Sequence, residues 1–255
     1  MSKLTVILPA AGRATRLQLP YAKEVMSIGP NKSLIDNSFN FFRDYGRKDV
    51  EFVVVIREGK SEIVDYLAKY NNRYDISFTF QNPNEHEYTG AIKSAKHLFG
   101  EHNIVLLPDT VMKLDPGADL HECVMSSLTE TGFTFLYKDE KDTEVLKTKG
   151  ALTVEDNIIK SYEDKPEEDV DQYNAFWCAF AFRRRAFDQC ISFMEKSTLR
   201  QRVLLDEIKE TPIYNSKGIR VQDYIDLGTW PEVRRYLNEK NCYFKSKKNI
   251  HCFRF

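Results

Sequence analysis

The chain has 255 residues, 42% of them hydrophobic and 29% charged, with 37 basic against 38 acidic residues and a formal net charge of −1. Such a chain is globular and long enough to bury a substantial core without disulfide staples. The balance excludes a strongly basic nucleic-acid binder, and no stretch approaches the roughly 18 apolar residues of a membrane span. If the protein meets a polyanion, it does so with a local cluster of cations. Cys123, Cys178, Cys190, Cys242 and Cys252 include no C-x-x-C pair, so free thiols in a reducing cytoplasm are expected. The start MSKLTVILPAAG is too short in its apolar part for a secretory leader, which agrees with a cytoplasmic chain.

Short apolar, β-branched runs alternate with helical patterns. Leu4–Leu8 reads as a buried strand, Leu34–Tyr45 as a helix, Glu51–Ile56 (EFVVVI) as a second strand and Lys60–Tyr70 as a helix. Ile76–Phe80 reads as a third strand, Thr89–Phe99 as a helix and Asn103–Leu107 as a fourth strand ending at Pro108-Asp109. This alternation predicts a parallel sheet with helices on both faces. After about residue 130 the rhythm changes. Phe133–Tyr137, Gly150–Val154, Ile158–Tyr162 and Tyr173–Phe182 read as strands with mixed or antiparallel pairing. Helical patterns return at Arg184–Lys196 and Leu199–Glu210, then an extended stretch Ile219–Asp226 and a short helix near Pro231–Leu237. With no repeat or linker, one domain over 1–255 is expected, with halves at about 1–130 and 131–240 and a tail at 241–255.

The loop after the first strand carries the densest chemistry. In a parallel α/β sheet ligands bind at the carboxyl ends of the strands. Ala10, Ala11 and Gly12 let a flat ring or a phosphate approach the backbone N–H groups. Arg13 and Arg16 offer forked hydrogen bonds to phosphate oxygens, and Lys23 adds a point charge. A Rossmann dinucleotide site would need G-x-G-x-x-G, but only one glycine is present; a P-loop would need G-K-[S/T] after a strand, which the chain lacks. The loop alone leaves two readings open, a triphosphate cradle and a solvated turn with surface arginines. His86, His97, His102 and His121 show no metal-ligand spacing and read as surface residues.

Four stretches in order extend the argument. Leu8–Leu17 (LPAAGRATRL) resembles the signature loop of the sugar-phosphate nucleotidylyltransferases, commonly L-A-A-G-x-G-T-R-L, and Lys23 falls where that family has a lysine. Leu106–Asp109 (LLPD), Glu163–Pro166 (EDKP) and Tyr224–Thr229 (YIDLGT) resemble its strand-end aspartate, its E-K-P segment and its D-x-G-T segment, over roughly residues 4–237. The length matches short members that lack a C-terminal β-helix. The resemblance implies a Rossmann-like α/β nucleotidyltransferase fold with a mixed, mainly parallel central sheet flanked by helices. It implies in-line attack of an acceptor phosphate on the α-phosphorus of a nucleoside triphosphate, with pyrophosphate leaving. By the same resemblance Arg16, helped by Arg13, would hold the β- and γ-phosphates, Lys23 the α-phosphate, and Asp109 and Asp226 a shared Mg²⁺. Lys165 would bind the acceptor's phosphate and Glu163 its hydroxyls, while Ala10, Ala11 and Gly12 would face the base and Gln81 would read its edge.

Several positions depart from the pattern. Ala14 replaces glycine, Pro9 and Ala22 replace alanine and proline, and Pro108 stiffens the approach to Asp109; none removes a charged group. The base-reading helix opens with Thr89-Gly90 instead of G-T, which resembles the cytidylyltransferase branch more than the thymidylyl branch and so leans towards CTP over dTTP or UTP. If Trp177 points into the site it would crowd a hexose, favouring a small non-sugar phosphorylated acceptor; if it points into the core that inference lapses, and strand register decides. The expected partners are a nucleoside triphosphate and a phosphorylated small molecule, most simply a sugar 1-phosphate, without nucleic acid or membrane and compatible with a homo-oligomer. A catalytically silent nucleotide-binding module is the alternative from another class.

Overall fold

The computed structural model describes residues 3–13, 15–199 and 206–238. In the N-terminal half, strand β1 (Leu4–Pro9) is followed by a small ribbon, β2 (Ser27–Gly29) and β3 (Lys32–Ser33), and by helix α1 (Asp36–Asn40). Then come β4 (Val50–Ile56), α2 (Ser61–Leu67), β5 (Asp75–Phe80), α3 (Glu87–Ser94) and β6 (His102–Leu106). Strand β7 (Thr110–Lys113) and helix α4 (Leu120–Thr131) lead into β8 (Phe133–Asp139) and α5 (Thr143–Leu146). The C-terminal half contains β9 (Gly150–Glu155), β10 (Ile158–Asp164), β11 (Ala175–Arg183), α6 (Phe187–Thr198), β12 (Ile219–Arg220) and β13 (Asp223–Asp226). Residues 230–238 are helical.

One nine-stranded sheet runs through both halves in the order β10-β9-β11-β6-β1-β4-β5, with β8 pairing β11 and β12. Strands β6, β1, β4 and β5 are parallel, and β11 joins them antiparallel to β6. The mixed α/β sheet expected from the sequence is therefore what the chain forms. The parallel part holds because β1, β4 and β6 are buried on both faces, with β5 as the more exposed edge. Leu4, Val6 and Leu8 enter one core and Ile7 the other; Phe52, Val54 and Ile56 face the first, Val53 and Val55 the second.

Helices expected at Leu34–Tyr45, Lys60–Tyr70, Thr89–Phe99 and Arg184–Lys196 exist in shorter form, the middle two continued by 3-10 turns at Ala68–Tyr70 and Lys96–Leu98. The expected helix Leu199–Glu210 falls largely on residues outside the description, with a 3-10 turn at Glu207–Glu210; Ala14, Cys242, Cys252 and the tail 241–255 also lie outside it. His102 and His121 are buried, a correction to their reading as surface residues, since β6 and α4 carry them into the packed layers. Cys123, Cys178 and Cys190 are free thiols.

Strand β11 settles the orientation of Trp177. Against β8 its register shifts between Trp177 and Ala179, a bulge that gives Cys178 no partner. Trp177, Phe180 and Phe182 consequently share one face, while Phe176, Ala179 and Ala181 take the other. Trp177 is 8% exposed and packs among Phe135, Phe180 and Tyr88, with ring centroids at 6.3, 5.8 and 5.3 Å. The indole lies so close to Gly150 that a Cβ there would stand 1.9 Å from its Nε1. Gly150→Ala should therefore destabilise the fold by about 1–3 kcal/mol, the usual cost of overpacking, and Trp177→Leu added to it should recover part of the loss in urea unfolding.

Candidate active site

The carboxyl ends of the four parallel strands converge on one cleft of about 860 Å³. The loop after β1 contributes Ala11, Gly12, Arg13 and Arg16; Arg57 and Glu58 follow β4, Gln81 follows β5, and Asp109 follows β6. That is the placement expected of ligand-binding residues in an open α/β sheet. Tyr88 and Ala91 of α3 form the opposite wall, and Lys23, Thr110 and Asp226 close the floor.

Asp109 and Asp226 come from different halves of the chain, and a two-stranded ribbon brings them together. Strand β13 pairs antiparallel with β7, with Asp226 opposite Thr110, the residue after Asp109. The Leu227 N–H donates to the Asp109 carbonyl at 3.0 Å, and the Gly228 N–H to Asp226 Oδ1 at 2.9 Å. Gly228 is needed there. A Cβ would stand 2.8 Å from both Asp226 Oδ1 and Arg16 Nη2, so the Arg16 guanidinium lies against this turn.

Cations surround the two carboxylates. The Lys23 ammonium pairs with Asp109, and Lys149 Nζ lies 3.4 Å from Asp226 Oδ2. Burial pulls the Lys23 pKa down, but the Asp109 carboxylate more than offsets this, so the ammonium is held charged. Arg13 and Arg16 are exposed beside them. The two carboxylates face a local excess of positive charge, which suits a polyanion.

The loop's ends are fixed from below by the start of α2. Lys60 Nζ donates to the Ala10 carbonyl at 2.7 Å and to Glu24 Oε1 and Oε2 at 2.9 and 2.8 Å. Glu62 Oε1 accepts from the Ala22 N–H at 2.6 Å. Burial pushes the Glu24 pKa up and that of Lys60 down, and each partner offsets only part of the shift. Ala10 is fully buried and tied to Lys60, so it supports the cleft without lining it.

Other expected residues divide. Gln81 lines the cleft, but its amide Nε2 donates to the Glu85 carbonyl at 2.9 Å, which fixes its orientation. Thr89 and Gly90 are buried and do not line the cleft; a Cβ on Gly90 would stand 2.7 Å from the Glu85 backbone. Gly90 thus lets α3 pack closely against Glu85. Trp177 stands behind Tyr88 in the core, and the size argument against a hexose lapses with it. Glu163 accepts a 2.5 Å hydrogen bond from the Tyr173 hydroxyl. Lys165, half exposed, has left-handed backbone (φ 53°), and its N–H donates to the Lys149 carbonyl at 2.8 Å.

Sequence reasoning missed Lys149, Arg57, Tyr88 and the buried pair Lys60–Glu24. Arg57 had a signal, since it directly follows the strand EFVVVI in a sheet read as parallel. Lys149 and Lys60 had none, because their partners are distant in sequence.

Two carboxylates on adjoining turns, both only partly buried, are hard oxygen donors of the kind Mg²⁺ takes, with phosphates and water completing its shell. No cluster of three or more His, Cys, Asp or Glu side chains that could hold a metal occurs among the described residues, so a cation held by these two carboxylates would complete its shell with water or with a bound phosphate. The residues thus fit a divalent cation.

Residues 4–238 match the family model for nucleotidyl transferases. The fold is similar to UTP-bound UGPase from Acinetobacter baumannii (TM-score 0.73, 16% identity, all of both chains covered). It is similar to UDP-glucose pyrophosphorylase complexed with UDP-glucose (TM-score 0.73, 18% identity, 96% of this chain and 100% of that one). A third likeness is to a Bacillus anthracis protein assigned as a glucose-1-phosphate thymidylyltransferase, in complex with a sucrose (TM-score 0.70, 15% identity, 93% and 95% covered). A comparison with curated protein sequences finds no match. At such identities the structural likeness is one of fold, whereas the family match spans all four sequence motifs, three of which line the cleft while Glu163–Pro166 lies outside its lining: the chain belongs to the nucleotidyl transferase family.

Proposed function

We propose that this protein transfers a nucleotidyl group from a pyrimidine nucleoside triphosphate to a sugar 1-phosphate, releasing pyrophosphate. The observation that carries the reading is the meeting of Asp109 and Asp226 with Lys23 and Arg16 where the parallel strands end. Of the solved structures named above, one is bound to UTP, one is complexed with UDP-glucose and one is assigned as a glucose-1-phosphate thymidylyltransferase, which favours a pyrimidine donor and a hexose phosphate acceptor.

The chemistry asked of the chain is positioning and charge neutralisation. Gly12 has no side chain, and no other group within 4 Å of where its Cβ would be, so a base or phosphate can approach the backbone there. Arg13 and Arg16 bind the β- and γ-phosphates and stay with the departing pyrophosphate. Lys23 neutralises the α-phosphate as the bond to the leaving group lengthens. Asp109 and Asp226 would hold a Mg²⁺, which when bound would neutralise and align the phosphates. Lys165 takes the acceptor's phosphate, and Glu163, steadied by Tyr173, accepts hydrogen bonds from its hydroxyls. The halves at about 1–130 and 131–240 work as one domain, with donor and acceptor meeting above Asp226.

Thermal unfolding with CTP, UTP, dTTP, ATP and GTP, each with and without Mg²⁺, tests the reading. A ligand at a hundredfold its dissociation constant stabilises the fold by about 2.7 kcal/mol. A Mg²⁺-dependent shift with one pyrimidine nucleotide is expected, followed by pyrophosphate release when glucose 1-phosphate is added. Absence of any shift, together with absence of pyrophosphate, would leave the silent module as the better account.

A further inference from the structure

Lys149 belongs to none of the four motifs. It precedes β9, and its ammonium is 3.4 Å from Asp226 Oδ2. Its carbonyl accepts the Lys165 N–H at 2.8 Å. Strands β9 and β10 pair antiparallel with Gly150 opposite Asp164, so one step further Lys149 stands opposite Lys165. Two lysines are thereby delivered side by side at the end of one ladder. Lys165 extends half exposed, its Nζ 4.0 Å from Asp164, and Lys149 reaches into the cleft's carboxylates. The arrangement mirrors Lys23 on Asp109: each of the two carboxylates carries one lysine in the ligand-free protein.

We propose that Lys149 is a second cation for the acceptor's phosphate, parked on Asp226 until that carboxylate is committed to a divalent cation. The inference rests on the nucleotidylyl-transfer reading above. An ammonium cannot stay on a carboxylate oxygen that has taken a divalent cation, because the two positive charges repel at that distance. The four-carbon stem of Lys149 lets its ammonium turn to the nearest anion. Its neighbour Lys165 marks where that anion sits: a phosphate between the two lysines, beside Asp226. Lys149 comes from the β9 edge and Lys23 and Arg16 from the β1 loop, so the donor and acceptor phosphates would have separate sets of cations. Parking also keeps the empty site from gathering charge, since Lys149 and Asp226 neutralise each other until a ligand arrives.

Two titrations of the full chain without nucleotide test this, with Mn²⁺ as the metal probe and inorganic phosphate as the anion probe. Lys149→Met should bind Mn²⁺ more tightly than the natural protein, because the competing ammonium is gone. A lysine that only braced the fold would not do this. In Mn²⁺-saturated protein the same variant should bind phosphate roughly tenfold more weakly, the loss of one charge-assisted hydrogen bond. Lys149→Arg should retain most of the phosphate affinity. Unchanged Mn²⁺ affinity or unchanged phosphate affinity in Lys149→Met overturns the proposal. Asp226→Asn is the control for the underlying reading: if it binds Mn²⁺ as the natural protein does, the metal assignment fails, whatever Lys149 does.

Discussion

Asp226→Asn should lower turnover by on the order of 10²–10³-fold, as expected when one group that stabilises developing charge is lost, while the protein stays folded. The substitution changes almost no volume. The amide Oδ1 can still accept the Gly228 N–H, so the turn against which Arg16 lies is kept. What disappears is the negative charge that faces Lys149 and, through space, Lys23. Asp226 is part-exposed and its contact with Lys149 is long, so the cost to stability should be within about 1 kcal/mol. Far-UV circular dichroism and a urea melt check the fold, and pyrophosphate release checks the chemistry. A variant with full turnover would remove Asp226 from the site and with it the ribbon's role in joining the two halves. A variant that loses activity together with several kcal/mol of stability would instead make Asp226 a structural residue.

How far the site could be read in the sequence depends on where each residue's partners lie. Strands β1, β4 and β6 are legible because each is an apolar run buried on both faces, and β5, a more exposed edge strand, completes the order that puts Arg13, Arg16, Gln81 and Asp109 at one edge. Helix α4 was not read, although Asp119 caps it by accepting the Glu122 N–H at 3.0 Å and Gly132 ends it with φ 76°. Its apolar face is Leu120, Val124 and Leu128 with Met125 beside them, interrupted by polar residues, so the period is faint. Strand β7 is four residues long and gains its identity from β13, more than a hundred positions away. Trp177 was undecidable because its orientation turns on one bulge at Cys178, and a bulge leaves no mark in the local pattern. The motifs named Arg13, Arg16, Lys23, Asp109 and Asp226, which the fold gathers in one cleft. What they could not name were the residues that hold that group in place, since Lys149 and Lys60 meet their carboxylates only in the fold.

Lys60 shows what such a residue is worth. Lys60→Met should destabilise the protein by about 3–5 kcal/mol, the usual consequence of removing one partner from a buried ion pair. For a chain of this size that lowers the melting temperature by on the order of 10 °C. Glu24 has a side-chain exposure of 1% and receives two of the three hydrogen bonds that Lys60 donates, so without the ammonium it must either stay charged in an apolar setting or take up a proton. The third bond, to the Ala10 carbonyl, fixes the loop at the point where it leaves β1. Its loss should also weaken nucleotide binding, because Ala11, Gly12 and Arg13 follow directly. The double variant Glu24→Met with Lys60→Met separates these effects. It removes both buried charges, so most of the stability should return, as replacing a whole buried pair with apolar residues is often neutral or better. Nucleotide affinity should stay reduced, since the Ala10 carbonyl still lacks its donor. Urea unfolding and nucleotide titration on the three proteins distinguish the outcomes. If Lys60→Met unfolds as the natural protein does, the pair carries no net weight in stability. If the double variant recovers full affinity, the tie to Ala10 does not set the geometry of the phosphate loop.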